Sequence, residues 1–398
     1  MIFSTPRGYR TGPGTVGTRC THSFAYRFRI RWVNPPKYRF TGTQRRSSFS
    51  PVDVERREAA ERYDSALPDG INVMRVWTPR DPDYLRKRLG DDGLAVWAED
   101  DVLHVVWRGV ARRVELIGGI RPQLWPVEGA DDLWEASLRI RRLDEAVIDV
   151  IPCVGGARAH LDEARWHGPE AIDPRPVAHA LVGTVERHEV EFAGRPRAIT
   201  LYRPPIAGGL VPACIVADGG SVGLFARTVE PAILAGAFPP VVLVGIDSDH
   251  GSGAYPDPRA REYLPDADPD RFAAHLTFVV DEVIPWAEEQ FPASGHWMSG
   301  GYSNGAVWAL TAAQRRPDVF TGVAALSPGI PPPAEVHTLG RHYLGAGTLE
   351  PGFRSAAAEW ARRLAGIDGR VRHEEWIGGH DHYWWTQRFP TALEWLLA

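Results

Sequence analysis

Residues Gly301 to Gly305 have the sequence Gly-Tyr-Ser-Asn-Gly, which is a G-x-S-x-G pattern. A predicted strand at 296–299 ends just before it and a predicted helix at 306–315 follows it. In such a position the serine adopts a strained turn that lifts its hydroxyl above the sheet, and the glycines give the strand and the helix room to pack. The pattern predicts that Ser303 is a nucleophile. The alternative is an ordinary helix-entry turn with Ser303 as its N-cap.

A serine hydroxyl needs a positioned imidazole that takes its proton and later delivers it to the leaving group. His380 stands in a glycine-flanked loop between the last predicted strand, 370–376, and a predicted final helix, 389–397. We therefore expect His380 to be the general base, with neighbouring His382 as the alternative.

The residue that orients the base should lie between Ser303 and His380 along the chain, on a loop that follows a strand. Glu350 meets this condition after a predicted strand at 341–345, and Glu335 is its competitor in the loop after the preceding strand. A Ser/His pair without an orienting acid is a third possibility.

An oxyanion requires two preorganised donors. The amide of Asn304, directly after the nucleophile, is predicted to be one of them. The second should come from the loop after a predicted buried strand at 213–217, where Gly219 and Gly220 let the backbone approach a substrate closely. A plain tight turn is the alternative for these two glycines.

Metal binding is a competing use of Asp247, Asp249, His250 and the triplet His380–His382. No H-E-x-x-H spacing is present, and the three cysteines show neither C-x-x-C nor Cys/His spacing. The sequence therefore predicts no metal and no other cofactor, and the cysteine usage favours a reducing, cytoplasmic location.

The elements that must position these residues change character along the chain. Residues 51–154 alternate apolar and polar positions in short runs, which predicts an antiparallel β-sandwich, and the Gly- and Pro-containing stretch 155–183 is predicted to be a linker. Residues 184–398 alternate strands with helical segments, which predicts an α/β domain with a mostly parallel sheet. Its further predicted elements are a hairpin at 185–192 and 198–202, strands at 241–246 and 323–326, and helices at 229–237, 270–290 and 353–364.

The composition, with 44% hydrophobic and 24% charged residues among 398, is typical of a globular protein of two or three domains. No apolar run is long enough to span a membrane. Residues 1–50 contain ten of the 45 Lys and Arg and none of the 50 Asp and Glu, which predicts a disordered segment. The acidic remainder argues against a nucleic-acid partner.

Taken together, these residues resemble the enterochelin (ferric enterobactin) esterase-like branch of the esterase D α/β-hydrolases. The resemblance covers about 185–398, and the stretch before it looks like the immunoglobulin-like module of the longer enterochelin esterases. The matching segments are Val105–Gly109, Asp131–Glu135, Ala217–Gly220, Arg261–Pro265, Asp281–Pro285, Gly301–Gly305, Gly347–Glu350 and Gly378–Asp381.

The resemblance implies a small-molecule substrate, a tri-catecholate serine-lactone siderophore whose esters are hydrolysed so that iron is released. A ferric catecholate is a polyanion, so its pocket should present cations and aromatic faces. The candidates near the predicted rim are Arg227, His250, Arg259, Arg261, Trp384 and Trp385.

Two alternative functions stay open from the sequence. One is a general carboxylesterase that acts on aryl or cinnamoyl esters. The other is a non-catalytic glycan-binding protein that uses Trp97, Trp107, Trp125 and Trp134 as stacking platforms.

Removal of residues 1–50 should leave the rest of the chain folded and its activity intact, because this segment has no apolar periodicity and no candidate site residue. Soluble expression and the thermal unfolding midpoint of the shortened chain, compared with the full chain, test this. Loss of soluble expression would contradict it.

Overall fold

The structure is a computed structural model that describes residues 67, 70–155, 157–158, 163–205, 208–249, 257–337, 340–367 and 369–398. The segment 1–50, predicted to be disordered, lies outside the described residues. Within the described ranges, no helix is both long and apolar enough to cross a bilayer.

The N-terminal part is an antiparallel all-β unit of nine strands in the order β2-β3-β6-β5-β4-β7-β8, with β1 paired to β6 and β9 paired to β7. Strand β5 joins its two halves, because Leu124 pairs with β4 while Trp125 pairs with β6. Its elements are β1 (Val73–Val76), α1 (Pro82–Leu89), β2 (Leu94–Glu99), β3 (Val102–Arg108), β4 (Val114–Gly118), β5 (Gln123–Pro126), β6 (Leu133–Ile140), β7 (Val147–Val154), β8 (Ala157–Arg158) and β9 (Ala164–His167).

Period-two alternation explains this unit, since alternate residues of its longer strands, among them Leu103, Leu138 and Ile148, are buried in a common core. Trp107, Trp125 and Trp134 are 6%, 8% and 6% exposed, so these rings cannot serve as open glycan platforms. The immunoglobulin-like topology itself stays a prediction.

The segment 155–183, predicted to be a linker, contributes to this sheet. Strand β9 pairs with β7 between Val147 and Val150, and β8 pairs with the end of β7. The prediction overlooked these strands because both are short and their pairing partners lie elsewhere in the chain.

The C-terminal part is built on an eight-stranded sheet in the order β10-β11-β13-β12-β14-β15-β16-β17. The first two pairings are antiparallel, as the predicted hairpin requires, and every pairing from β13 to β17 is parallel. The strands are β10 (Thr184–Phe192), β11 (Arg195–Arg203), β12 (Val211–Ala217), β13 (Val242–Ile246), β14 (Ala293–Tyr302), β15 (Phe320–Leu326), β16 (Arg341–Gly347) and β17 (Arg370–Trp376).

Helices cover both faces of this sheet, as its continuous apolar strands demand. They are α2 (Val222–Leu234), α3 (Pro258–Tyr263), α4 (Pro269–Phe278), α5 (Ile284–Glu288), α6 (Asn304–Arg315), α7 (Pro351–Ala365) and α8 (His382–Leu397). Strand β13, which follows β12 in the chain, pairs with one edge of β12, and the next strand, β14, pairs with its other edge. Strand β12 is therefore the switch point where a crevice opens at the carboxyl ends of the strands.

Three predicted helices differ from those observed. Helix α2 begins seven residues before its predicted start, and the predicted helix 270–290 is divided by a π-helical turn at Val279–Val283, with Pro285 in the first turn of α5. The final helix begins at His382 rather than at 389, because the Asp381 side chain accepts a hydrogen bond from the Trp384 amide and caps it.

Replacing Leu344 by alanine should lower the free energy of unfolding by about 2–5 kcal/mol, because this β16 side chain is fully buried and its loss leaves a cavity. Leu224→Ala is the matched control: Leu224 is 47% exposed on α2, so its effect should stay within about 0.5 kcal/mol. Chemical denaturation of both variants measures the difference, and equal effects would contradict the assigned core.

Candidate active site

Ser303 occupies the sharp turn between β14 and α6 with φ 56° and ψ −125°. This left-handed region is costly for a residue with a side chain, and it turns the hydroxyl out of the sheet. A Cβ at position 301 would lie 2.7 Å from the Gly305 carbonyl carbon, and one at 305 would lie 2.9 Å from the Ala217 Cβ. Both glycines are therefore needed for the close approach of strand and helix.

The structure brings Ser303, His380 and Glu350 together from three loops. His380 Nε2 is 3.0 Å from Ser303 Oγ, and His380 Nδ1 is 2.5 Å from Glu350 Oε2. All three residues are buried, with 1%, 7% and 6% exposure. The hydroxyl, the imidazole and the carboxylate therefore form one continuous chain of hydrogen bonds, as a nucleophile, a base and an orienting acid require.

Two further donors hold the Glu350 carboxylate. Ser327 Oγ and the Gly347 amide each donate to Glu350 Oε1 at 2.6 Å. The Trp385 indole N–H in turn donates to Ser327 Oγ at 3.0 Å. Sequence reasoning missed Ser327; the signal was its position directly after β15, at the same edge of the sheet as the predicted acid.

Aromatic rings enclose the imidazole of His380. Phe353 lies across it with ring centroids 4.0 Å apart, and Trp385 meets it edge-on at 4.7 Å. Trp385 also stacks on Tyr302 at 4.1 Å. These contacts fix the plane of the imidazole and shield its bond to Glu350 from water, which strengthens that bond.

Burial lowers the pKa of His380 below its ordinary value, while the negative charge of Glu350 and its hydrogen bond raise it in part. The positive charges of Arg121 and Arg259 lower it further. Arg121 comes from the N-terminal unit, and no pattern along the chain indicates that it acts on His380. The base is consequently neutral at neutral pH, the state in which it can accept a proton.

The amides of Asn304 and Gly219 have no hydrogen-bond partner in the described part of the chain, so both can serve an oxyanion. Gly220 differs from the prediction, because its amide donates to Asp247 Oδ1 at 2.7 Å and is thereby occupied. A Cβ at position 219 would lie 2.8 Å from the Gly245 backbone. Gly219 can thus sit against β13 only without a side chain.

The predicted substrate-binding residues separate into several places. Arg259 forms a two-pronged ion pair with Asp218, at 2.6 and 2.5 Å, close to the oxyanion loop. Arg261 lines a cleft together with Arg187, Asp249 and Arg271, and Arg227 is exposed on α2. His250 lies outside the described residues.

Trp384 and Trp385 do not offer free aromatic faces, since they are 4% and 3% exposed. The indole of Trp384 donates to the Val147 carbonyl at 2.9 Å, and its ring packs against Trp376. Trp385 instead supports His380, as described above. The predicted role of these rings in direct substrate contact has no support in this geometry.

Glu335 and His382 are the alternative candidates for the orienting acid and the base. Glu335 is exposed, whereas Glu350 reaches the imidazole. The exposed ring of His382 packs against Tyr302 and Trp385. Among the described residues, no group of three or more His, Cys, Asp or Glu could hold a metal ion.

Comparisons with known proteins agree with this geometry. A family model described as "Putative esterase" matches residues 191–336. The putative esterase NocK of Nocardia uniformis subsp. tsuyamanensis is 35% identical over 177 residues, which are 42% of this chain and 48% of NocK. The matched region therefore spans about half of that relative.

Two solved structures share the fold over 79% of this chain and 98% of their own. They are the enterobactin esterase FES of Shigella flexneri, with TM-score 0.60, and the ferric enterobactin esterase of Salmonella typhimurium, with TM-score 0.59, each 15% identical. The solved structures confirm the predicted α/β-hydrolase-like fold, and the family model and NocK add a sequence similarity to esterases.

The activity should persist as pH falls to about 6.5 and decline only below it, because the pKa of His380 is lowered and the base must be neutral. Arg121→Met should move this decline to higher pH, since it removes a charge that lowers the pKa. Arg112→Met, at an exposed position, is the control and should leave the profile unchanged. Profiles of kcat/KM against pH measure this; an unmoved profile in Arg121→Met would contradict the assigned electrostatics.

Proposed function

We propose that this protein is a serine esterase that hydrolyses the backbone esters of a catecholate siderophore lactone, with Ser303 as nucleophile, His380 as general base and acid, and Glu350 as orienting acid. One observation carries the catalytic part: the unbroken path from Ser303 Oγ through the imidazole to Glu350, at 3.0 and 2.5 Å. The strained backbone of Ser303 supports it independently.

In the first half of the reaction, Ser303 Oγ attacks the ester carbonyl carbon while His380 Nε2 takes the hydroxyl proton. The carbonyl π electrons move to the oxygen, where the amides of Asn304 and Gly219 stabilise the negative charge. The electron pair on this oxygen then re-forms the carbonyl double bond, and the C–O bond to the alcohol breaks, which leaves the acyl-enzyme. His380 gives its proton to the departing alcohol oxygen. Glu350 stabilises the imidazolium throughout.

In the second half, a water molecule takes the position of the departed alcohol. His380 accepts a proton from this water as its oxygen attacks the acyl carbon. Collapse of the second oxyanion breaks the bond to Ser303 Oγ, which recovers its proton from His380. The products are a carboxylic acid and an alcohol, and the enzyme returns to its starting state.

The substrate class rests on charge and on fold. Arg121 and Arg259 act electrostatically on His380 from the N-terminal unit and from α3, so two guanidinium groups lie near the site. Arg259 is paired with Asp218, so its charge attracts a polyanionic substrate less than an uncompensated cation would. Similar structures include the Shigella flexneri enterobactin esterase FES in the presence of enterobactin, which resembles this chain over 79% of its length. Both observations favour a ferric or iron-free catecholate lactone over a neutral ester.

Ser303→Ala and His380→Ala should each reduce kcat by about 10⁴-fold or more, because the two act as a unit, and the double variant should be no worse. Glu350→Ala should cost about 10²-fold less than either, since it only orients and stabilises the imidazole. Glu335→Ala is the matched control and should behave as wild type, given its exposed position. Thermal unfolding of each variant checks that the fold is retained.

The substrate is tested by incubation with ferric and iron-free enterobactin-type lactones and separation of the linear products by chromatography. Ring opening supports the proposal. Turnover of small aryl or cinnamoyl esters far above that of either lactone would identify an aryl ester, and not a siderophore, as the substrate. Failure of a fluorophosphonate probe to label Ser303 in the folded protein would remove the esterase assignment itself.

A further inference from the structure

We propose that the N-terminal β unit, through the Gly119 carbonyl, the Asn72 side chain and strand β7, is the positioning element that holds the two loops carrying His380 and Glu350. This inference deepens the proposed function and rests on it. The two loops are called here the base loop, residues 377–381, and the acid loop, residues 347–350.

The base loop is bonded to the N-terminal unit on both sides of His380. The His380 amide donates to the Gly119 carbonyl at 3.2 Å. Before it, the Ile377 carbonyl accepts from the Val147 amide at 3.0 Å, and after it the Trp384 indole donates to the Val147 carbonyl at 2.9 Å. Strand β7 thus brackets the base loop.

Glycines allow the two backbones to meet without intervening side chains. A Cβ at position 379 would lie 1.2 Å from the Gly119 carbonyl oxygen. A Cβ at position 119 would lie 2.9 Å from Asp381 Oδ2 and 3.0 Å from Ile148 Cγ2. A side chain at position 379 must therefore displace the base loop or the Gly119 backbone, whereas one at position 119 requires its neighbours Asp381 and Ile148 to shift slightly.

The acid loop is held in the same way. The Asn72 side chain donates to the Thr348 carbonyl at 2.8 Å. Leu349, one residue before the catalytic acid, is 8% exposed and packs in the hydrophobic core of the N-terminal unit, where Ile377 of the base loop also lies. Both loops are consequently anchored in a core that belongs to a different part of the chain.

The two loops also bond to each other, since the Leu349 amide donates to the Gly378 carbonyl at 3.0 Å and the Thr348 amide to the Trp376 carbonyl at 2.9 Å. The two loops are therefore linked directly, and the N-terminal unit sets their position relative to Ser303. A misplacement of about 1 Å in a catalytic group can cost about 100-fold in rate.

Gly119→Ala tests the inference. We expect kcat to fall about tenfold with KM little changed, because the substrate still binds while the base shifts by a fraction of an ångström. The acid limb of the pH profile should move upward, since a displaced imidazole is less buried and its pKa is then less depressed. Gly223→Ala in α2 is the control: a Cβ there would meet no atom within 4 Å, so it should leave kcat and the pH profile as in wild type.

Asn72→Ala is a gentler second variant, because Asn72 is only half-buried and loses a single hydrogen bond to the acid loop. Its kcat should fall by about fivefold, in proportion to one hydrogen bond. Hydrogen exchange followed by mass spectrometry supplies a measurement that does not depend on activity: peptides covering 376–385 should exchange faster in Gly119→Ala than in wild type or Gly223→Ala.

The outcomes separate the two proposals. If wild type reacts with a fluorophosphonate probe while Gly119→Ala retains the wild-type kcat, pH profile and exchange, the positioning role is refuted and the esterase assignment stands. If wild type does not react with the probe, the esterase assignment fails. The exchange of 376–385 then decides alone whether the N-terminal unit holds the two loops.

Discussion

The imidazole of His380 must lie between a serine oxygen and a carboxylate, within hydrogen-bond distance of both, and the rest of the structure serves this requirement. Its two partners come from other loops, Ser303 after β14 and Glu350 after β16. Parallel strands bring these loops to one edge of the sheet, because their carboxyl ends point the same way. The cost of burying the three polar groups is offset only where each finds its partner.

Close backbone approaches make this arrangement rigid. Gly301 and Gly305 let β14 and α6 meet at Ser303, and Gly219 lies directly against Gly245 of β13 in the loop after β12. Gly119 and Gly379 meet in the same manner where the N-terminal unit contacts the base loop. Close-packed interiors are hardly compressible, so a shift of one element at such a contact also shifts the element packed against it.

Buried ion pairs support the oxyanion side. Asp247 accepts from the Gly220 amide with one carboxylate oxygen and from Arg187 with the other, and its carbonyl accepts from Arg197. Arg197 in turn forms a two-pronged pair with the fully buried Glu262. Such pairs contribute little net stability, but they hold a loop in one geometry because every alternative leaves a charge unpaired.

Features that depend on neighbours along the chain were predictable from the order of the residues alone. Gly301 to Gly305 indicated the turn that presents Ser303, apolar runs indicated strands β12 and β13, and the alternation of strands with helices indicated the parallel strands up to β17. The loop glycines around His380 and the loop after β16 indicated the base and acid candidates that the structure brings together, although their catalytic roles stay proposals. These inferences worked because strand periodicity and turn chemistry are local.

Contacts between residues that are distant along the chain emerge only in the folded protein. It brought Glu350 rather than Glu335 to the imidazole, engaged the Gly220 amide with Asp247, and buried Trp384 against β7. It also placed Gly119 beside His380, which follows it by more than 250 residues and lies in another unit. No periodicity along the chain records such a contact, because its geometry arises only when two separately formed sheets pack together.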